Sequence, residues 1–151
     1  MQCSASIEIS KPRADVWKAV TDIPNAVGMI SGILSVEVLE NPDTGLVGFR
    51  WKETRKMFGK EATEIMWITD AEENASYSTR AESHGAVYIT RLTITEQDGV
   101  ILLTMNFGAE LQSFSAKVMS ATMGWMFKNA TIKAVQQDLI DIKFTVEQAN
   151  S

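Results

Sequence analysis

The chain has 151 residues, 45% of them hydrophobic and 22% charged, with a formal net charge of −5. That length and composition suit one globular domain, residues 1–151, with a core large enough to hold without staples, and they exclude a disordered chain. The acidic balance argues against nucleic-acid binding and against a polybasic membrane surface, both of which need clustered Lys and Arg. The single cysteine, Cys3, rules out an internal disulfide framework. The opening MQCSASIEISKP has neither a basic nor an apolar leader region, and no stretch nears ~18 uninterrupted apolar residues. A cytoplasmic protein with no transmembrane segment is the expectation.

Residues 3–9 alternate, with Ala5, Ile7 and Ile9 on one face, which is strand periodicity. Pro12 then stands at a first helical position, and Val16, Trp17 and Val20 give residues 13–21 an amphipathic helical face. Ile23-Pro24 breaks that helix, and a second short helix is expected over roughly 24–30. From residue 33 the period changes to two. The predicted strands are 33–40, 47–58, 61–69, 75–83, 86–96 and 100–111, separated by short turn signals such as Gly59-Lys60, His84-Gly85 and Asp98-Gly99. Linkers this short make consecutive strands pair as antiparallel hairpins.

Residues 113–147 read as one long helix. Its stripe is Phe114, Val118, Ala121, Trp125, Ile132, Val135, Leu139, Ile142 and Val146, with Lys128 filling the single gap. At ~1.5 Å per residue this helix is roughly 50 Å long, so it should lie diagonally, begin late or kink near Gly124. An α+β architecture follows. A sheet of about seven strands has one apolar face to cover, and only the long helix is large enough to cover it. A twisted sheet touches such a helix along a line, which leaves space between them for a ligand.

The order strand, two short helices, six strands, long helix resembles the helix-grip fold of the START-like (SRPBCC) superfamily, in its polyketide cyclase/dehydrase-like branch. IEISKPRADVWKAVTDIPN (7–25), VGFRWKETRKMFGKEATEI (47–65), SHGAVYITRLTIT (83–95) and QQDLIDIKFTVE (136–147) carry the resemblance. It implies a cavity between a curved antiparallel sheet and the C-terminal helix. The superfamily includes lipid and hormone binders, aromatase/cyclases and cochaperone domains, and fold alone does not choose among them.

Strand 47–58 should turn Val47, Phe49, Trp51, Glu53 and Arg55 toward the helix and Arg50, Lys52, Thr54 and Lys56 toward solvent. Strand 61–69 is mixed on both faces. Glu64, Met66 and Ile68 are expected inward, following the family pattern, which leaves Trp67 outside as a possible homodimer contact. Glu53 and Glu64 would then be neighbours beside Arg55, either as an acid/base pair or as a structural Arg–Glu cluster.

Glu53, Glu64 and Tyr88 are the catalytic candidates. The expected pocket lining adds Met29, Ile30, Phe49, Trp51, Met66, Tyr77, Met105, Phe107, Met119, Met123, Trp125 and Met126, since methionines and aromatic rings suit an adaptable apolar site. His84 reads as a turn residue and Cys3 as a strand residue without a base beside it. No metal-ligand spacing and no phosphate-binding glycine motif is present, so neither metal nor cofactor is expected. The leading expectation is a binder of a small hydrophobic ligand. The alternatives are a cyclase/dehydratase-like enzyme and a cochaperone-like or lipid-chaperone module with an exposed patch around Trp67, Val87 and Ile89.

Overall fold

A computed structural model describes the backbone at residues 1–57, 59–83, 85–112 and 114–149, and the side chains there except at 57, 114–116 and 118–127. Ten elements follow in order: β1 (Gln2–Ile9), α1 (Arg13–Thr21), a 3₁₀ helix (Ile23–Gly28), β2 (Ile33–Glu40), β3 (Arg50–Met57), β4 (Lys60–Glu72), β5 (Ser76–Ser83), β6 (Ala86–Gln97), β7 (Val100–Leu111) and α2 (Phe114–Gln148). Pro24 in the first turn of the second short helix goes with its 3₁₀ form.

All seven strands make one antiparallel sheet in the order β1-β7-β6-β5-β4-β3-β2. From β2 to β7 it is a meander of hairpins. Its turns use residues that tolerate positive φ: Gly59 (77°), Asn74 (63°), and Asp98 with Gly99 (54° and 80°). β1 adds to the far edge by pairing with β7.

The inner face of this curved sheet closes on α2. Val135, Leu139, Ile142 and Val146 of α2 join Ile9, Ile68 and Leu103 in the buried core. The expected helix–sheet grip is therefore present, an α+β helix-grip fold, and the stripe from Val135 onward is its seam. Polar clasps fix the C-terminal half of α2 at both sheet edges. On the β1 side, Lys143 Nζ donates to the Glu8 carbonyl at 2.7 Å and the Ser10 N–H to Glu147 Oε2 at 2.8 Å. On the β2 side, the Ser31 N–H and hydroxyl donate to Asp141 Oδ2 at 2.9 and 2.7 Å. No described helix is long and apolar enough to cross a membrane.

Three local readings change. β3 begins at Arg50, because Gly48 adopts φ 94° and interrupts the extended run. Val47 consequently lies outside the strand, 53% exposed, instead of facing the helix. α2 begins at Phe114, so it does not start late. Val87 is 1% exposed and cannot contribute to an exposed patch with Trp67 and Ile89. His84 lies outside the described residues.

The ambiguous strand has the expected register. Ile68 is 1% exposed and inward, and Trp67 faces outward. There the Arg50 guanidinium lies 5.6 Å from the centre of its ring, and Arg80 is its cross-strand neighbour on the other side.

Candidate functional site

Between sheet and helix lies a cavity of about 1070 Å³. Strand alternation builds its walls. β5 contributes Tyr77, Thr79 and Ala81, β6 contributes Tyr88, Thr90 and Leu92, and β7 contributes Met105, Phe107 and Ala109. Ala81 is in register with both Met66 and Tyr88, and Tyr88 with Ala109, so one row of inward residues crosses four strands. Tyr88 stacks on Phe107, with ring centres 5.9 Å apart.

α1, the 3₁₀ helix and the turn that follows it close one end with Val20, Ile23, Ala26, Met29 and Ile30. Tyr77 fastens this end to the sheet. Its hydroxyl donates to the Val20 carbonyl at 2.8 Å, and its ring meets Trp17 edge-on at 6.0 Å. Burial, with a smaller push from the charge on Glu53, holds the Tyr77 hydroxyl protonated far above its ordinary range. Val135 and Ile142 of α2 supply the roof, together with Thr131 and Asp138.

Apart from Asp22 at the α1 end, the charged side chains of the lining gather on β3, β4 and α2. Glu53 and Glu64 are directly opposed across the β3–β4 ladder, as expected. Glu53 accepts the Trp51 indole N–H at 3.3 Å and Arg55 Nε at 3.2 Å. Arg55 Nη1 reaches across to Asp138 of α2, 3.0 Å from Oδ2 and 3.2 Å from Oδ1. Glu64 instead accepts the Ser83 hydroxyl at 2.7 Å.

Asp138 is only 8% exposed. Burial pushes its pKa up to about 6 despite the opposing pull of Arg55, and the charges on Glu53 and Asp141 push the same way. Burial also works against the charge on Arg55, but Asp138 and Glu53 outweigh it and hold the guanidinium above its ordinary pKa. A second recess of about 210 Å³ opens on the far side of this pair, beside Ser31, Gly32 and Gln137. Arg55, Asp138 and Ala134 line both spaces.

Of the residues expected at the site, Met29, Ile30, Trp51, Glu53, Glu64, Met66, Tyr77, Tyr88, Met105 and Phe107 line the cavity. Phe49 does not. It sits before β3, packed into the core against Trp51 with ring centres 5.7 Å apart. Met119, Met123, Trp125 and Met126 lie outside the described side chains. Sequence reasoning missed Asp138, Thr79, Ala81 and Leu92. A signal for Asp138 was present, since it falls three residues after Val135 and four before Ile142, a charge inside the buried stripe.

The three catalytic candidates share the cavity wall, but no hydrogen bond joins Tyr88 to Glu53 or Glu64 among the described residues. Burial, with Glu64 adding to it, raises the Tyr88 pKa and keeps its hydroxyl a donor. The arrangement offers a largely apolar chamber with carboxylates on β3, β4 and α2 and hydroxyls on β5, β6 and α2. Cys3 is buried in β1 opposite Phe107, and burial raises its thiol pKa, which disfavours the thiolate.

No protein-family profile and no curated protein sequence matches the chain. Solved structures do. A protein of Thermus thermophilus superimposes with TM-score 0.84 at 14% identity, covering 100% of both chains. The Zhui aromatase/cyclase of Streptomyces sp. R1128 gives 0.79 at 13% identity, over 98% of this chain and 94% of that one. A START superfamily protein of Mycobacterium smegmatis gives 0.65 at 15% identity, over 90% and 97%. The chain has the START-like helix-grip fold. At these identities the likeness extends to the START-like fold alone, and the chemistry has to be argued from the residues that line this cavity.

Proposed function

We propose that residues 1–151 act as one START-like domain that binds a small hydrophobic ligand, such as a lipid, an aromatic or a polyketide-like molecule, between sheet and α2. One observation carries this reading: a chamber of about 1070 Å³ whose walls are mostly Met, Leu, Ile, Ala and aromatic side chains. That volume is at the upper end of the roughly 300–1,000 Å³ usual for small-molecule sites, and the few polar groups among its apolar walls would orient what enters. The cytoplasm is the proposed compartment, on the strength of the single cysteine.

The test is mass spectrometry of gently purified protein for a co-purifying small molecule, followed by titration with the neutral fluorophore Nile red. Saturable binding that added lipids or planar aromatics displace is the expected result. Absence of both a bound molecule and saturable binding overturns the reading.

A second reading, a cyclase/dehydratase-like enzyme, is favoured by Glu53, Glu64 and Tyr88 all lining the chamber. It requires turnover of a bound ligand that Glu64→Gln or Tyr88→Phe abolishes while binding persists. A ligand recovered unchanged from the wild type removes that reading and leaves the first intact.

A further inference from the structure

The carboxylates of the cavity are unequally partnered. Arg55 is committed twice, to Glu53 at 3.2 Å and to Asp138 at 3.0 Å, so these three groups satisfy one another. Glu64, directly across the ladder from Glu53, is different. Among the described residues its donor is the Ser83 hydroxyl, and no Lys or Arg nitrogen of theirs lies within 4 Å of it. The other two lining bases, Lys60 and Lys128, are exposed. Five carboxylates line the chamber (Asp22, Glu53, Glu61, Glu64 and Asp138) against three side-chain bases (Arg55, Lys60 and Lys128) and the N-terminal ammonium of Met1, which donates to the Ala109 carbonyl at 3.1 Å.

Resting on the binding reading above, we propose that the cavity selects a ligand whose polar group donates hydrogen bonds, a hydroxyl or an amine, and rejects carboxylate anions, with Glu64 as the selecting side chain. A carboxylate has room for about four hydrogen bonds, and Ser83 supplies one. A donor on the ligand adds another inside a partly apolar enclosure, where pairing counts for more than in water. An anion brought to the same place meets Glu64 at short range with Arg55 already neutralised, and like charges in such surroundings repel strongly. Tyr88, on the same cavity wall, has its hydroxyl held protonated, so it offers a donor for any acceptor the ligand carries and does not change the preference for donors at Glu64.

The experiment displaces Nile red at pH 7.5 with three ligands on one ring system: 9-anthracenemethanol, 9-(aminomethyl)anthracene and 9-anthracenecarboxylate. Wild type should prefer the alcohol and the amine over the carboxylate by at least about tenfold. Glu64→Gln should narrow that ratio to within about threefold, because the amide removes the repelling charge and keeps the shape. A wild-type carboxylate affinity equal to or tighter than the alcohol's overturns the proposal, and so does an unchanged ratio in Glu64→Gln. If that variant fails to fold, Glu64→Met makes the same comparison, and if neither folds the wild-type ratio decides. Nile red that binds while all three ligands compete equally refutes the selection alone. Nile red and ligands that all fail to bind refute the binding reading beneath it.

Discussion

Replacing Asp138 by asparagine sets burial against ion pairing at a single carboxyl. Asp138 is 8% exposed and bonded to Arg55 at 3.0 Å, yet burial carries its pKa from 3.8 to about 6. The native state therefore holds a proton on Asp138 between about pH 4 and 6, where the unfolded chain has released it. Because the native state binds more protons in that window, stability falls as pH rises through it. A shift of about two units at ~1.4 kcal/mol each is about 3 kcal/mol in full, of which about 2.5 kcal/mol is lost between pH 4 and pH 7.

The assay is urea unfolding of wild type and Asp138→Asn from pH 4 to 7.5, taken as the difference between the two curves. Subtraction removes the groups that do not sense Asp138 and most of the contribution of Asp141, whose hydrogen bonds from Ser31 and Gln137 outweigh burial, lower its pKa and give the opposite slope. Wild type should lose about 2.5 kcal/mol relative to the variant as pH rises from 4 to 7. A difference that is flat, or that grows in favour of wild type with rising pH, means that Arg55 keeps the carboxylate ionised and the argument from burial is wrong.

Ala81→Trp puts an indole at the middle of the inward row between Met66 and Tyr88, so Nile red affinity should drop by at least about tenfold while the far-ultraviolet circular dichroism is unchanged. Tyr77→Phe removes the donor to the buried Val20 carbonyl and should cost about 1–3 kcal/mol in urea unfolding. A neutral result there would show that water or a ligand satisfies that carbonyl. Trp67→Ala probes a homodimer through the outer face: with Arg50 over the ring, sedimentation velocity should give the same species for variant and wild type, and a dimer lost on mutation would reverse this.

The strands were legible because apolar and polar residues alternate along most of them, although β5 buries Ser76 to Thr79 in succession, and the hairpins because glycine, Asn74 and Asp98 occupy left-handed turn positions. Glu53 and Glu64 could be paired from sequence once Ile68 was set inward, since a period of two then fixes the rest of that face. Phe49 misled because it continues the alternation of β3, while Gly48 at φ 94° holds back the start of that strand to Arg50. The bias toward large and sulfur-bearing residues hid Ala81 and Thr79, although small residues are what leave room for a chamber. Asp138 was hidden for the opposite reason. A charge within an apolar stripe looks like a break in the pattern until its partner on β3, 83 positions away in sequence, is brought to it.

The way β1 completes the sheet bears on how the chain reaches this state. Every other strand finds its partner across a turn, whereas Ser6 meets Thr104 across 98 positions. Hairpins form quickly, and joining distant segments is slow because the intervening chain must first be restrained. The meander β2–β7 should therefore assemble first, with one margin unpaired, and β1 and α2 should settle on it last. Until then β7 is a bare strand edge able to recruit the β1 of another molecule, so refolding at high concentration carries a risk of strand exchange that the finished sheet does not. Pulse-labelled hydrogen exchange would show β5–β6 amides protected before those of Gln2–Ile9, and simultaneous protection would exclude this order.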